Sequence, residues 1–295
     1  MESIPYDKRS GKIWFNGKAV NWADANIHVL NHGLHYASCV FEGERVYDGE
    51  IFKIEEHTSR LFYSAERMGI KIPYSQEEIN EACKKIINIQ KVKNGYVRPV
   101  VWRGSEMMAI SAQRNKIHVA IATWEWGSYF DPKLKLKGIK LNISSWRRPN
   151  PNSVPWDTKA AGLYMICTLS KHEAERDGYT DSLMLDHEGN VAEATGANIF
   201  FKDKDGNLHT PTPDSFLDGI TRRTVIDIAK SKNINVIERK ITPDELKNFT
   251  GCFLTGTAAE VTPVSQIASY NFKVCKTIIE LSDSYQLIVR KKKAA

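Results

Sequence analysis

The sequence predicts an α+β protein built in two blocks, and three observations carry that prediction. Strand-like and helix-like patterns are mixed along all 295 residues. The pattern breaks once, across Gly127 to Leu136 with its Asp131-Pro132 pair, residue types that interrupt regular structure. No segment repeats and no tract is of low complexity, which sets solenoids and arrays aside. The expected division is a small N-terminal α+β domain over residues 1–126, a linker over 127–137 and a larger domain over 138–295. A ligand site is expected where the two meet, a common place for pockets.

Taken in order, Lys12–Phe15, Asn16-Gly17 and Lys18–Val20 predict a strand, a tight turn and a strand. A second hairpin runs from Cys39 to Tyr47, turns at Asp48-Gly49 and returns through Ile51 to Ile54. A helix follows with Leu61, Phe62, Ala65 and Met68 on one face. Ser75 and Glu78 form a capping box for the next, which turns Ile79, Cys83, Ile86 and Ile87 inward. Two long strands are predicted over Tyr96–Arg103 and Lys116–Trp126. Beyond the break come a strand over Ile139–Trp146, a Pro- and Asn-rich loop to Pro155 and a helix from about Ala160. Strands over Ser182–Leu185 and Val191–Lys202, a hairpin at Asp205-Gly206, a helix opening at Thr221 and a short strand Cys252–Leu254 complete the reading.

Hydrophobic residues make up 42% and charged residues 26%, the mixture of a globular chain. No apolar run approaches the roughly 20 residues that span a bilayer, and no apolar stretch follows the N-terminal charges, so a cytoplasmic protein is expected. Cys39, Cys83, Cys167, Cys252 and Cys275 are odd in number and widely spaced; they read as reduced thiols, neither a disulfide framework nor a zinc site. Part of the formal charge of +6 sits in Arg290 to Lys293, read as a solvated tail. A small anionic ligand explains the rest as well as a nucleic acid does.

His28, His32 and His35 are spaced like ligands on a helix face, but Gly33 interrupts that helix and no acidic residue or cysteine adjoins; no metal site is expected. Two segments have the form of phosphate cups. Asp218-Gly219-Ile220-Thr221 opens a helix whose first amides are open to an anion, and Thr255-Gly256-Thr257-Ala258-Ala259 follows a strand with amides and hydroxyls to offer. Either alone is ordinary turn chemistry; two in one block point to a phosphorylated ligand. Lys159 stands among small residues before an apolar helix, a setting that lowers a lysine's pKa and suits it to Schiff-base chemistry. An exposed first-turn lysine is the plain alternative.

Nine blocks then appear in one order: Ile13–Gly17, His35-Tyr36 with Phe41-Glu42-Gly43, His57–Leu61, Tyr96–Pro99, Trp126–Tyr129, Thr158–Tyr164, Glu193–Phe200, Gly219–Arg222 and Gly256–Glu260. In these the chain resembles the fold-type IV (class IV) pyridoxal-phosphate aminotransferases, and is most similar to the branched-chain amino-acid aminotransferases. The resemblance implies a two-domain fold of the D-amino-acid aminotransferase type, with pyridoxal 5'-phosphate in the cleft. It implies transamination between leucine, isoleucine or valine and 2-oxoglutarate/glutamate, through a Schiff base on Lys159. Glu193 would pair with the pyridine nitrogen and Tyr164 with the ring 3′-oxygen. Arg60, the Ile220 and Thr221 amides and Thr257 would hold the phosphate. Tyr96 with the Thr257 and Ala258 amides would take the substrate α-carboxylate, and Phe41, Trp126 and Tyr129 would wall the apolar pocket. Arg98 would receive the distal carboxylate of glutamate. Ile110 and Tyr36 would come from the neighbouring subunit, which makes a homodimer, or a hexamer of three such dimers, the catalytic assembly.

The chain departs from the branched-chain pattern at Leu163, Ala197, Trp156 and Asp157, and Arg103-Gly104 is the pair found at this strand end in D-amino-acid and (R)-amine aminotransferases. Those relatives and the aminodeoxychorismate lyases are the alternatives within the fold; a cofactor-free binding protein is the alternative outside it. Tyr96-Val97-Arg98 fits the branched-chain pattern, and Ser105–Gln113 lacks the R-x-H of the D-specific enzymes. Which branched-chain amino acid is preferred is not written in these motifs.

Overall fold

The computed structural model describes residues 4–127, 129–130 and 137–291. Ser128 and residues 131–136 of the expected linker lie outside the described residues, as do Lys292 and Lys293 of the basic run. The chain divides into two compact units, Met1–Gly127 with Thr158–Gly162, and Ser128–Asp157 with Leu163–Ala295. Thr158–Gly162, expected with the C-terminal block, therefore belongs with the first unit. Its backbone explains why. Ala160 bridges Val40, the Lys159 carbonyl accepts from the Phe41 amide at 3.2 Å, and the Lys159 amide donates to Ser64 Oγ at 3.0 Å. The helix expected from Ala160 consequently starts later, as a 3₁₀ turn over Ala161–Tyr164 and an α-helix over Met165–Arg176.

The first unit carries a seven-stranded sheet of β1 (Lys12–Phe15), β2 (Lys18–Asn21), β3 (Cys39–Phe41), β4 (Glu44–Tyr47), β5 (Glu50–Ile51), β6 (Gly95–Arg103) and β7 (Ile117–Glu125). Its order is β2-β1-β7-β6-β4-β5, with β3 also on β6. Both expected two-residue turns are present, with positive φ at Asn16-Gly17 and at Asp48-Gly49, the backbone that joins twisted strands without splaying them. The strand expected over Cys39–Tyr47 is cut at Glu42-Gly43 into β3 and β4. Pro99 lies opposite the cut and its carbonyl accepts from the Glu42 amide at 2.9 Å, but a proline has no N–H to continue the ladder.

Strand alternation divides the sheet's side chains. Val97, Val101, Val119 and Ile121 are wholly buried, as are, beyond the short α1 (His32–Tyr36), Leu61 of α2 (Ile54–Arg67) and Ile79 and Cys83 of α3 (Gln76–Gln90). Each such aliphatic contributes about 1.5–3 kcal/mol. Ser75 and Glu78 form the expected capping box at the start of α3. The inward face of α2 is more polar than expected, for His57, Thr58 and Ser64 are buried beside Leu61 and Ala65. The alternate residues of β6, Tyr96 and Arg98 among them, take the opposite face of the sheet.

The second unit is a nine-stranded sheet of β8 (Ile139–Arg147), β9 (Asp181–Leu185), β10 (Val191–Ala194), β11 (Asn198–Lys202), β12 (Leu208–Thr210), β13 (Val236–Glu238), β14 (Gly251–Gly256), β15 (Glu260–Ile267) and β16 (Tyr270–Asn271). The order is β10-β9-β8-β15-β14-β11-β12-β13, with β16 on β15. Leu141, Leu183, Ile199, Phe201, Leu254 and Val264 lie together in its core. The strand expected over Val191–Lys202 is two strands, because the chain turns back at Thr195-Gly196-Ala197. Three helices cover the sheet: α4 (Met165–Arg176), α5 (Ile220–Ser231) and α6 (Lys276–Val289). No helix among the described residues is long and apolar enough to cross a membrane.

Candidate active site

In the first unit the chemistry gathers around Lys159. Its Nζ lies 4.8 Å from the centre of the Phe41 ring, and the Arg98 guanidinium lies 4.6 Å from the same ring. Burial pulls the amine down from 10.5 to about 8; the Glu42 charge opposes the shift, and Arg60 and Arg98 add to it. A lysine in this state has a substantial neutral fraction near physiological pH, the form that attacks a carbonyl or accepts a proton.

Beneath it is a buried polar cluster. Glu42, wholly buried, accepts from Arg60 Nε at 2.7 Å and Nη2 at 3.0 Å, from His57 Nδ1 at 2.8 Å and from the Gly43 amide at 3.2 Å. Burial alone would raise its pKa; Arg60 and His57 outweigh burial and hold the carboxyl well below the usual carboxylate range. His57 is pushed down by its own burial and therefore serves as a neutral donor. The bidentate pair fixes the orientation of the Arg60 guanidinium. Tyr96 stands edge-on to Trp126, ring centres 4.8 Å apart. Its hydroxyl lies directly over Gly43, where a Cβ would come within 1.7 Å of it; only glycine allows that approach.

In the second unit, Glu193 lies on β10 and is buried. The Arg148 Nε stands 3.5 Å from one of its oxygens, and Asn198 Nδ2 donates to the other at 3.2 Å. Arg148 also donates to the Leu163 carbonyl at 3.4 Å, tying Glu193 to the turn that carries half-buried Tyr164. Asn198 reaches further. Its Oδ1 accepts from the Gly219 amide at 3.1 Å, next to Ile220 and Thr221 at the start of α5, whose N-terminus has no side-chain cap. Asn198 also pairs across the ladder with Thr255, beside Gly256, Thr257 and Ala258. Gly256 sits against the Ala197 turn, where a Cβ on it would lie 3.3 Å from that of Ala197. Both expected cups and the expected pyridine partner thus lie around one asparagine.

Each unit by itself carries groups that suit pyridoxal phosphate: in the first, the lysine amine lowered by burial; in the second, the uncapped α5 N-terminus and a buried Thr255 hydroxyl with no hydrogen-bond partner among the described residues. The remaining expected site residues are placed otherwise. Tyr36 and Ile110 are 43% and 82% exposed and join neither group within this chain. Tyr129 is 44% exposed and stands edge-on to Phe130. Arg103 donates to the carbonyls of Met68 and Gly69 at 3.3 and 2.7 Å and of Ala112 at 3.5 Å, so it caps the end of α2 and offers little to a substrate carboxylate. The three histidines bond backbone: His32 to the Ala109 carbonyl, His35 to that of Val29, and His28 to the Leu30 amide.

Glu42, His57, Arg148 and Asn198 went unread in the sequence as functional residues. A polar residue on a helix or at a strand end ordinarily faces solvent, and only the pairings above reveal that these do not.

The amino-transferase class IV model matches residues 39–267. The chain is similar to the branched-chain-amino-acid aminotransferase of Pseudomonas aeruginosa, 43% identical over 263 residues covering 88% of this chain and 85% of that one. It is similar to the crystal structure of branched-chain aminotransferase from Thermoproteus uzoniensis with norvaline, at 34% identity and TM-score 0.92, covering 97% of this chain and 96% of that one. It also resembles the branched-chain amino acid aminotransferase from Thermobaculum terrenum in its PLP form, at 27% identity and TM-score 0.88, covering 96% and 95%. By sequence and by fold the chain belongs to the class IV aminotransferases.

Proposed function

We propose that this protein is a pyridoxal-phosphate-dependent aminotransferase that moves amino groups between branched-chain L-amino acids and 2-oxoglutarate/glutamate. The observation that carries the reading is Lys159, an amine held near pKa 8 within a family whose relatives named above act on branched-chain amino acids and are known in a PLP form. Bound there, the cofactor would supply an electron sink for the bond broken at the substrate Cα. The chain's own residues do the rest. Lys159 would hold the cofactor at rest, then take the Cα proton and return it, one amine serving both positions on a short arc. Glu193 would hold a proton at the pyridine nitrogen, and Tyr164 would hydrogen-bond the neighbouring ring oxygen. Arg60, steadied by Glu42, would grip the phosphate with the Ile220 and Thr221 amides and Thr257.

The substrate must be either aliphatic or acidic at its far end. Phe41, Trp126 and Tyr129 would supply the apolar walls, Tyr96 and the Thr257 and Ala258 amides would take the α-carboxylate, and Arg98 would meet the distal carboxylate. Arg98 Nε is buried with no hydrogen-bond partner among the described residues, a donor that an incoming carboxylate would satisfy. Arg98→Ala should lower kcat/KM for glutamate by about 100-fold, the loss of a charge-assisted contact of ~3 kcal/mol, and for leucine by less than tenfold. Equal losses would remove Arg98 from this role.

A homodimer completes the reading. Exposed Ile27 and Leu34 flank an apolar hollow of about 420 Å³ on the first unit, also lined by Phe15, Val100 and Trp102. Together with exposed Tyr36 and Ile110, these are apolar surfaces that a second subunit would cover.

A further inference from the structure

We infer that Asn198 is a positioning residue that locks the Glu193 carboxylate and the Gly219 amide into one rigid unit, so that the group facing the cofactor's pyridine nitrogen and the group facing its phosphate are set by a single side chain. This rests on the proposed function, within which it gives a role to Asn198 of the Glu193–Phe200 block.

Asn198 opens β11, is 4% exposed and makes three hydrogen bonds. Its Nδ2 donates to Glu193 Oε2 at 3.2 Å and to the Leu217 carbonyl at 2.9 Å, and its Oδ1 accepts from the Gly219 amide at 3.1 Å. The two ends do different work, so the amide cannot be replaced by a like-shaped acid. Aspartate could still accept from Gly219, but it would set a second carboxylate against Glu193, and two carboxylates in one site cannot both remain ionised. Gly219 is fitted to the same side chain, because a Cβ there would lie 2.2 Å from Asn198 Oδ1. The loop before α5 is held from its other side by buried Arg222, which donates to Asp218 at 2.9 Å, to the Pro211 carbonyl at 3.1 Å and to Glu238 at 2.5 Å. With that loop fixed, Asn198 has one place to stand, and so does the carboxylate it holds.

Charged and titratable groups face this cluster from the loop after β8, from α4 and from β9. Arg148 from the loop after β8 stands 3.5 Å away. Cys167 of α4 contacts Arg148 at 3.6 Å and feels the charges of both Glu193 and Asp181. Asp181 of β9 is bound to Thr195 at 2.6 Å and lies 4.0 Å from Lys171. Among these groups Arg148 is the cation against Glu193 and Asn198 a neutral donor to it.

The test is Asn198→Asp, alone and in a Glu193→Gln background, measured as holoenzyme. The readouts are the pH dependence of the bound cofactor's visible spectrum, cofactor retention on dialysis, and kcat against KM for L-leucine. Asn198→Asp should retain cofactor, move the spectral pH profile by one unit or more and cut kcat about tenfold or more while KM changes less. In the Glu193→Gln background the same substitution should add no spectral shift, because its effect passes through Glu193. Asn198→Ala, which frees both ends, should in addition lose cofactor faster. An Asn198→Asp holoenzyme with the wild-type spectrum and kcat, or one whose shift persists in the double variant, overturns the inference. Should Asn198→Asp fail to fold, Asn198→Ala decides on the same spectrum: an unmoved pH profile overturns the positioning role. Wild-type protein that takes up no cofactor would instead sink the proposed function itself.

Discussion

At the scale of single residues the account turns on how a lysine is made reactive without being left exposed. Glu42, the carboxylate whose charge acts on Lys159, is already committed to Arg60 and His57. Burial and two guanidinium charges therefore dominate, and the amine falls to about 8. Between that value and its ordinary 10.5, the unfolded chain keeps a proton that the folded protein has released, so apo-protein stability rises with pH across this window and is lost as pH falls through 8. At pH 7 the lysine is a burden. Lys159→Met should stabilise the apo-protein at pH 7 by ~1–3 kcal/mol, with the advantage shrinking above pH 8, as followed by thermal unfolding. The cofactor-uptake rate of wild-type apo-protein should rise about tenfold per pH unit below 8 and level off above it. Uptake indifferent to pH between 6 and 9 would mean that the amine is not the titrating group.

At the scale of elements, β4 carries an anomaly of the same kind. Glu44 is wholly buried and neither carboxyl oxygen has a hydrogen-bond partner among the described residues. Burial pushes its pKa well above 4.5, the Glu42 charge adds to the rise and Arg60 opposes it. A carboxyl raised in the fold contributes stability that is complete below 4.5 and lost as pH rises through the folded value. Glu44→Gln should therefore match wild type in melting temperature near pH 4.5 and exceed it progressively toward pH 8, by ~1–3 kcal/mol; a gap that narrows with rising pH would contradict this. The same strand marks what the sequence can and cannot reveal. The Asn16-Gly17 and Asp48-Gly49 turns, the Ser75–Glu78 box and the apolar stripe of α3 are legible because the forces that make them are local. The cut at Glu42-Gly43 is not, since it answers to Pro99 across the sheet. The late start of α4 likewise depends on Val40, far away in sequence, pairing with Ala160. Pro263 hides β15, for a proline argues against an interior strand although here it pairs with Phe253. α6 could have been read, with Ile278, Leu281, Tyr285 and Val289 buried along one face. In the site, Lys159 and the two cups declare themselves by their small-residue surroundings, whereas the partners that hold Glu193 and Arg60 depend on contacts distant in sequence.

At the scale of the whole molecule, the proposed dimer makes each site depend on two chains, through Ile110 and Tyr36 of the neighbour. Mixed subunits test this. A subunit carrying Lys159→Ala and one carrying Ile110→Asp should each be nearly inactive as homodimers. Refolded together they should regain up to about one quarter of wild-type activity, because half of a random mixture is heterodimer with one intact site. No recovery would mean that Ile110 serves the site of its own subunit. The central claim, that Lys159 carries pyridoxal phosphate and passes amino groups from branched-chain L-amino acids, has a more direct test in the visible spectrum of the cofactor-loaded protein before and after L-leucine. The account predicts a band of lysine-linked cofactor that L-leucine converts to the pyridoxamine form, that 2-oxoglutarate restores, and that Lys159→Ala lacks. A band unmoved by L-leucine but discharged by D-alanine would contradict the substrate assignment, and a colourless protein that takes up no cofactor would contradict the whole account.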